Sequence, residues 1–441
     1  MKRVAILVPL CALALNAQSL KERLIEVLET HPLVQERYEN YRAARADVTI
    51  AEAGYYPTLD LSLSRGREDT DKTPRLGLTA NTDYDVTQSS VVYRHNLFRG
   101  LGTLYRVGEQ KERLGAAAYS YLQTLNDTGM QLLGAYVEVV RQKELLTTSL
   151  QNVEINDEIF NKVSKLYESG LTTLSEVNKI ESSLALARSN AVVRENNLAS
   201  TRFALERLSG KAPVVEAMEP PVFEGTMPEN EAAALDFAME HNPSLRIALC
   251  NIDQADAARK ATRSAFLPEV DVELSRSYSE DAGAYNGEED QTRAMATVSF
   301  NLFNGFADKA AYEKGSISLR QEQLRLEELR REVKEALHLA WSSYVKLSEQ
   351  LKHLENYKEY SLKTLTLYSK EYDLGRRSLL DLLAAQSDYI GAKSQIINTE
   401  YDILLARYRV LDAMGVTVVS LLDDGGNYYR TVGLNAPARQ E

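Results

Sequence analysis

The chain has 441 residues, 44% of them hydrophobic, with 51 basic and 63 acidic side chains and a net charge of −12. The cations are interspersed with acids rather than clustered, which excludes a nucleic-acid partner, because phosphate contacts need a basic patch. Prolines are absent from 75–212 and from 269–436, and tracts so long and so rich in Leu, Ala, Glu, Lys, Arg and Gln predict very long helices.

In chain order, "MKR" and the apolar run Val4 to Leu15 predict a secretory leader over 1–17, cut after Leu15-Asn16-Ala17. The apolar run is too short to span a bilayer as a helix, and no later one approaches the ~20 residues that a spanning helix needs. Cys11 lies inside the leader, so Cys250 is left alone and no internal disulfide is expected. Ser19 is a candidate N-cap for a helix over 20–56, which Pro57 stops. The period then changes to two: Leu59, Leu61 and Leu63 alternate with Asp60, Ser62 and Ser64, and a return strand near 86–97 closes a hairpin over 57–98. A helix over 101–168, a turn at Gly170 and a helix over 171–209 complete a first repeat, 18–210. After a linker, 211–230, the plan recurs over 231–415 as a helix over 231–267, a hairpin over 268–303, a helix over 306–374, a turn at Gly375 and a helix over 376–414. A tail, 416–441, follows.

The recurrence is written in the residues. "NLFRG" (Asn96 to Gly100) returns as "NLFNG" (Asn301 to Gly305), 205 positions on, while "PTLDLSLSR" (57–65) returns as "PEVDVELSR" (268–276), 211 positions on. The first copy therefore carries six extra residues between these motifs, a difference of loop length. Each strand is expected to run roughly 9–11 residues, the length a tilted strand needs to cross a bilayer. The 68 residues of 101–168 amount to about 100 Å of helix, and the two shorter helices of each repeat together match one long helix. Val333, Leu337, Ala340, Tyr344, Leu347, Leu351 and Leu354 keep an unbroken 4-3 spacing, the seam of a coiled coil. The first copy interrupts that seam with Thr128, Gln142 and Ser149, which predicts weaker packing there.

Asn96, Phe98 and Gly100, with Asn301, Phe303 and Gly305, fall where each strand must hand over to a long helix. The apolar pair suits a membrane boundary and the glycine suits a sharp turn. Tyr55, Tyr56, Phe266 and Tyr278 flank the strands as an aromatic belt would. Four strands cannot satisfy their own edges in lipid, so copies must join if the chain enters a membrane. Five scattered histidines form no H-E-x-x-H, no cysteine pair exists for zinc, and no P-loop or G-x-S-x-G occurs. No catalytic group, metal site or cofactor is expected.

Leader, paired halves, Pro-bounded hairpins, strand-to-helix switches and Gly-centred helical turns together resemble the TolC-type outer-membrane efflux family over nearly the whole mature chain. The resemblance implies a mainly α fold with a membrane β-barrel part: a homotrimer in which long coiled-coil helices form an α-barrel and each chain gives four strands to a 12-stranded β-barrel. It implies an outer-membrane exit duct of an efflux or type I secretion system in a Gram-negative cell, embedded in outer-membrane lipid. Its partners would be a periplasmic membrane-fusion adaptor and an inner-membrane pump of the RND, ABC or MFS type. "YDLGRRSLLDLLAAQ" (372–386) resembles the family's periplasmic constriction, which implies that Tyr372 and Arg377 latch neighbouring helices and that Asp381 forms an acidic ring. "YESGLTTLSEV" (167–177) puts Ser175 and Glu176 where the family has acceptors for that arginine, and Gly170, Leu171, Gly375 and Arg376 at the tips that would meet the adaptor. Ala384 stands where the family's best-studied members carry a second aspartate, which implies a less acidic entrance. "GRRSLLDLL" leans towards the type I secretion branch. A periplasmic coiled-coil adaptor or scaffold that never enters the membrane would share the leader and the helices, and it stands as the alternative.

Overall fold

Proline sets the first breaks. In the computed structural model, which describes residues 20–72, 80–223, 225–282, 287–422 and 424–437, the helix expected over 20–56 is two, α1 (Leu20–Thr30) and α2 (Pro32–Glu52). The expected leader lies outside the described residues. Pro32 lacks the N–H that would continue α1, but its fixed φ suits the first position of a new helix. The second repeat breaks in the same way, into α5 (Glu231–His241) and α6 (Pro243–Ala261). Short 3-10 turns, Ala53–Tyr55 and Thr262–Phe266, lead from α2 and α6 towards the strands.

The strands are longer than a minimal membrane span. β1 (Thr58–Lys72) has 15 residues, β2 (Ala80–Arg99) 20, and β3 (Glu269–Glu280) and β4 (Glu288–Ser299) 12 each, against the 9–11 expected. They form one antiparallel sheet in the order β1-β2-β3-β4, so the two halves pair through β2 and β3. β1 and β2 keep pairing beyond the end of β3: the β2–β3 ladder stops at Thr87↔Glu280, whereas β1–β2 continues to Lys72↔Ala80. The return strand of the second hairpin stops at Ser299, short of the expected Phe303. Residues 300–306 find no strand beside them among the described residues, and backbone that lacks a ladder does not stay a strand.

The helical lengths match expectation closely. α3 (Gly102–Glu168) and α7 (Ala307–Asp373) have 67 residues each, and α4 (Leu174–Ser209) and α8 (Leu379–Ala413) have 36 and 35. By packing, the chain divides into two units, each drawing on both repeats: Met1–Tyr38, Tyr121–Pro243 and Arg330–Glu441 in one, Glu39–Ser120 and Ser244–Leu329 in the other. The first holds the larger apolar core. Along α7, Val333, Leu337, Ala340 and Leu354 of the seven-residue seam are buried, whereas Tyr344, Leu347 and Leu351 are half-buried. The expected weakness of α3 is not observed, since Leu132, Leu133, Tyr136, Val137, Val139 and Val140 are all buried and so are Thr128 and Gln142. Segments distant in sequence cover a second side of α3. Tyr136 Oη donates to Glu219 O (3.1 Å), Lys143 Nζ donates to Glu216 O and Met218 O (both 3.1 Å), and Val418 and Leu24 crowd Gly129. Val418 belongs to α9 (Thr417–Leu421), which precedes the short α10 (Gly426–Thr431).

Candidate functional site: a two-sided sheet, two switches and two helical tips

Residues paired across an antiparallel ladder lie on the same side of the sheet. The register therefore puts Leu59, Leu61, Leu63, Val91, Tyr93, Val270, Val272, Leu274, Ala294, Ala296 and Val298 on one side, with His95, Ser89, Thr292 and the Arg276–Asp290 ion pair as its polar exceptions. Asp60, Ser62, Ser64, Gln88, Ser90, Arg94, Glu273, Ser275, Ser277, Thr297 and Ser299 share the other, with Val92 and Met295 as apolar exceptions. The leucines of β1 are about 70% exposed, so nothing among the described residues covers that stretch of the apolar side. Towards the helical end of the sheet, a charged network crosses three strands. Arg94 donates to Asp60 (3.1 Å) and Glu273 (3.0 Å), Asn96 donates to Glu269 (3.0 Å) and Asp271 (2.7 Å), and Arg99 donates to Glu269 (2.6 Å). Sequence reasoning missed this network, whose members meet only through pairing of the two halves.

Both switches turn in the same way. Gly100 and Leu101 have φ of 53° and 63°, and Gly305 and Phe306 have 55° and 66°, two successive left-handed residues that reverse the chain into α3 and α7. In the first copy a bulge falls between Asn96 and Phe98, so Leu97 is the extra residue of β2. In the second, Asn301 Oδ1 accepts from Phe303 N (3.1 Å), a local turn in place of a ladder, and Phe303 packs edge-on against Phe306 with ring centres 5.3 Å apart.

The helical tips are also twins. Gly170 N donates to Tyr167 O (2.9 Å) and Leu171 N to Leu166 O (2.8 Å); Gly375 N donates to Tyr372 O (2.9 Å) and Arg376 N to Glu371 O (2.8 Å). This is the Schellman pattern, with glycine at φ 71° and 68° satisfying the last carbonyls of each long helix. Between the tips, Val163, Ile180, Leu379 and Leu383 form a buried cluster, against which Tyr372 packs. Burial, then the charges of Glu176 and Asp373, push the Tyr372 hydroxyl above its ordinary pKa.

Arg377 is held from its own hairpin. Its Nε donates to Glu371 Oε2 (2.8 Å), its guanidinium lies 4.1 Å from the Tyr368 ring centre, and Asp381 stands 3.9 Å away. The hydrogen bond to Glu371 favours its charged form. Among the described residues Arg377 makes no bond to Ser175 or Glu176, and Glu176 accepts instead from Thr172. Ser378 caps α8, its Oγ accepting from the Asp381 N–H (3.2 Å) and donating to the Asp381 carboxylate (2.9 Å). The S-x-x-D spacing of Ser378 and Asp381 was the readable signal for this cap. Among the described residues no group of His, Cys, Asp and Glu is arranged to hold a metal, and no helix is long and apolar enough to cross a membrane.

A sheet with one mainly apolar and one mainly polar side, its outer edges unpaired among the described residues and its strands followed by long helices, fits a barrel-forming channel chain. The sequence model of the outer membrane efflux protein family matches this chain twice, over 24–211 and 234–416. The outer membrane efflux protein BepC of Brucella suis is 21% identical over 403 residues, covering 90% of this chain and 86% of its own. The protein CyaE of Bordetella pertussis is 23% identical over 376 residues, covering 82% and 77%. The solved CmeC outer membrane channel of Campylobacter jejuni has the same fold, with a TM-score of 0.80 at 14% identity over 94% of this chain and 90% of that one. The chain belongs to the outer membrane efflux protein family. It is an exit channel of the outer membrane, with its helices in the periplasm, and its family consists of transport channels rather than enzymes. Channels of this family work as trimers with a periplasmic adaptor and an inner-membrane pump. None of these matches is to an adaptor or scaffold.

Proposed function

We propose that three copies, each cut after its leader 1–17, join β1 to β4 around a ring and close a 12-stranded barrel, three times the four strands of one chain. One observation carries this reading: among the described residues the sheet has two open edges and mainly opposite polarity on its two sides. Lipid tolerates no unpaired backbone edge, and a barrel places the apolar side towards lipid and the polar side around a water-filled lumen. The repeats 18–210 and 231–415 then act as six staves, with 211–230 and 416–441 banding them.

At the periplasmic end, Arg377, Tyr372 and Asp381, with Ser175 and Glu176 on the neighbouring hairpin, close the aperture. In the single chain Arg377 rests on Glu371 and Tyr368, which keeps its charged fork ordered and near the turn where a neighbouring hairpin would meet it. The tips at Gly170, Leu171, Gly375 and Arg376 present the adaptor contact, and the exposed Leu171 and Leu374 supply its apolar part. The pump is of the RND, ABC or MFS type, and "GRRSLLDLL" favours the ABC-driven secretion branch. The test is purification from outer membranes in detergent, sizing, and insertion into planar bilayers. Trimers that conduct ions support the channel, and a monomer soluble without detergent would return the scaffold reading.

A further inference from the structure

The two switches share one backbone design, but only one of them is filled. Gly100 is buried; a Cβ there would meet Ser264 O at 2.6 Å and Leu267 Cβ at 3.0 Å, and one on Gly102 would meet Ser264 Cβ at 3.1 Å. Gly305 is exposed, with nothing within 4 Å of such a Cβ, and Leu302, Phe303 and Phe306 around it are 86%, 71% and 71% exposed. Phe306 nevertheless holds a left-handed φ of 66°, which is strained for a bulky residue. The second switch keeps the strained shape without the neighbour that fits it in the first.

The duplication names the missing neighbour. The offset of 211 carries Ser264 and Leu267 back to Ala53 and Tyr56, and the offset of 205 carries Gly100 and Gly102 forward to Gly305 and Ala307. Within one chain β1 and β4 are opposite edges of the sheet, so the occupant comes from a second copy. We propose that residues 298–307 of one copy form a socket for residues 53–63 of the next, in the register of the β2–β3 joint. The pairs Tyr93↔Leu274, Arg94↔Glu273, His95↔Val272 and Phe98↔Val270 translate into Val298 opposite Leu63, Ser299 opposite Ser62, Phe300 opposite Leu61 and Phe303 opposite Leu59. Leu302 becomes the bulge residue, as Leu97 is in β2. In this register apolar meets apolar and serine meets serine, and a slip of one residue would reverse every match. Tyr56 and Leu59, each 71% exposed in the single chain, are what the socket covers.

The inference rests on the barrel-closing reading, and cysteine trapping separates the two. In a Cys250→Ser background, Ala53→Cys with Ala307→Cys stands in for the 3.1 Å approach at Gly102, close to the ~3.5–4.5 Å Cβ separation that a disulfide spans. Oxidation in outer membranes is expected to give covalent dimers and trimers on a non-reducing gel, absent from either single cysteine and from Ala53→Cys with Lys309→Cys. Linkage through position 309 instead of 307, or unlinked trimers from both pairs, overturns the socket and leaves the barrel standing. Absence of any oligomer in the unsubstituted protein, sized by light scattering, overturns the barrel itself. Gly305→Asn gives a second reading, since asparagine tolerates the left-handed turn but fills the slot. Trimer yield is expected to fall about tenfold, while Gly210→Asn, at a helix end of the same hand with open space around it, leaves it unchanged. Full assembly of Gly305→Asn would argue against a close-packed socket.

Discussion

Lys162 on α3 forms an ion pair with Asp373, the last residue of α7, and its ammonium lies 5.9 Å from the centre of the Tyr372 ring. One side chain thus ties the descending end of the second repeat to the first, beside the residues assigned to the aperture. Both partners are about half exposed, so the pair adds little to global stability. Its weight is local, because Tyr372 moves if the end of α7 moves.

The aperture assignment is tested by replacing Arg377 with Ser and Tyr372 with Phe together. Single-channel conductance in a planar bilayer is expected to rise several-fold, with the melting of helical circular dichroism unchanged. A surface pair without a gating role predicts unchanged conductance. Lys162→Met should give a smaller rise in the same direction, and an unaltered conductance in both variants would remove the latch.

Asp412 gives a pH dependence of known sign. Burial, then the charge of Asp127, raises its carboxyl from an ordinary 3.8 to about 6, although Thr417 Oγ1 donates to it at 3.2 Å. A raised carboxyl pKa means that the folded chain prefers the neutral form. Its contribution is fully present below the unfolded value and is lost as pH rises to about 6, on the order of 2–3 kcal/mol. Asp412→Asn, which keeps an acceptor for Thr417, is expected to match the parent in thermal midpoint at pH 4 and exceed it at pH 7.5. Asp127→Asn should shift the parent's loss to lower pH. Parallel curves from pH 4 to 8 would refute the assignment.

Asn126 bridges two backbone segments, donating to Gly415 O (2.7 Å) and accepting from Val418 N (3.0 Å). It is buried, and so is Gly415. Asn126→Ala leaves a carbonyl and an N–H without partners, at a cost of about 2–4 kcal/mol. Urea titration of the detergent-solubilised protein checks this, and a loss below about 1 kcal/mol would mean that water replaces the side chain.

Gly100 and Gly375 separate strain from crowding. Both have positive φ, but only Gly100 lies against a neighbour, with Ser264 O 2.6 Å from the position of an added Cβ. Gly375→Ala is expected to cost about 1–2 kcal/mol of backbone strain alone. Gly100→Ala should cost clearly more and reduce the amount of protein inserted in outer membranes. Equal effects would mean that the first switch is looser than its contacts imply.

Much of the architecture was legible because local chemistry and tertiary packing agree. Pro57 and Pro268 stop helices, Leu59, Leu61 and Leu63 alternate at a strand's period, and Gly170 and Gly375 end the long helices at Schellman turns. The misreadings occur where distant segments decide. Residues 300–303 have a strand's composition but no strand beside them among the described residues, so β4 ends early. Thr128 and Gln142 weaken a heptad pattern, yet α3 is deeply buried because the linker and the C-terminal segment cover a second side. Glu371 and Tyr368 were missed as companions of Arg377 because a Schellman turn, rather than helical spacing, returns position 377 to the side of 371.

The twin Schellman turns carry an evolutionary consequence. In the proposed ring of three copies, neighbouring tips would occupy quasi-equivalent places but are spelled by different codons. Leu171 and Arg376 both follow their glycine, one greasy and one cationic. In the proposed trimer a single nucleotide change would therefore alter every second tip and leave its alternates untouched. Selection can retune the mouth in half-steps, which a ring of six identical subunits could not do.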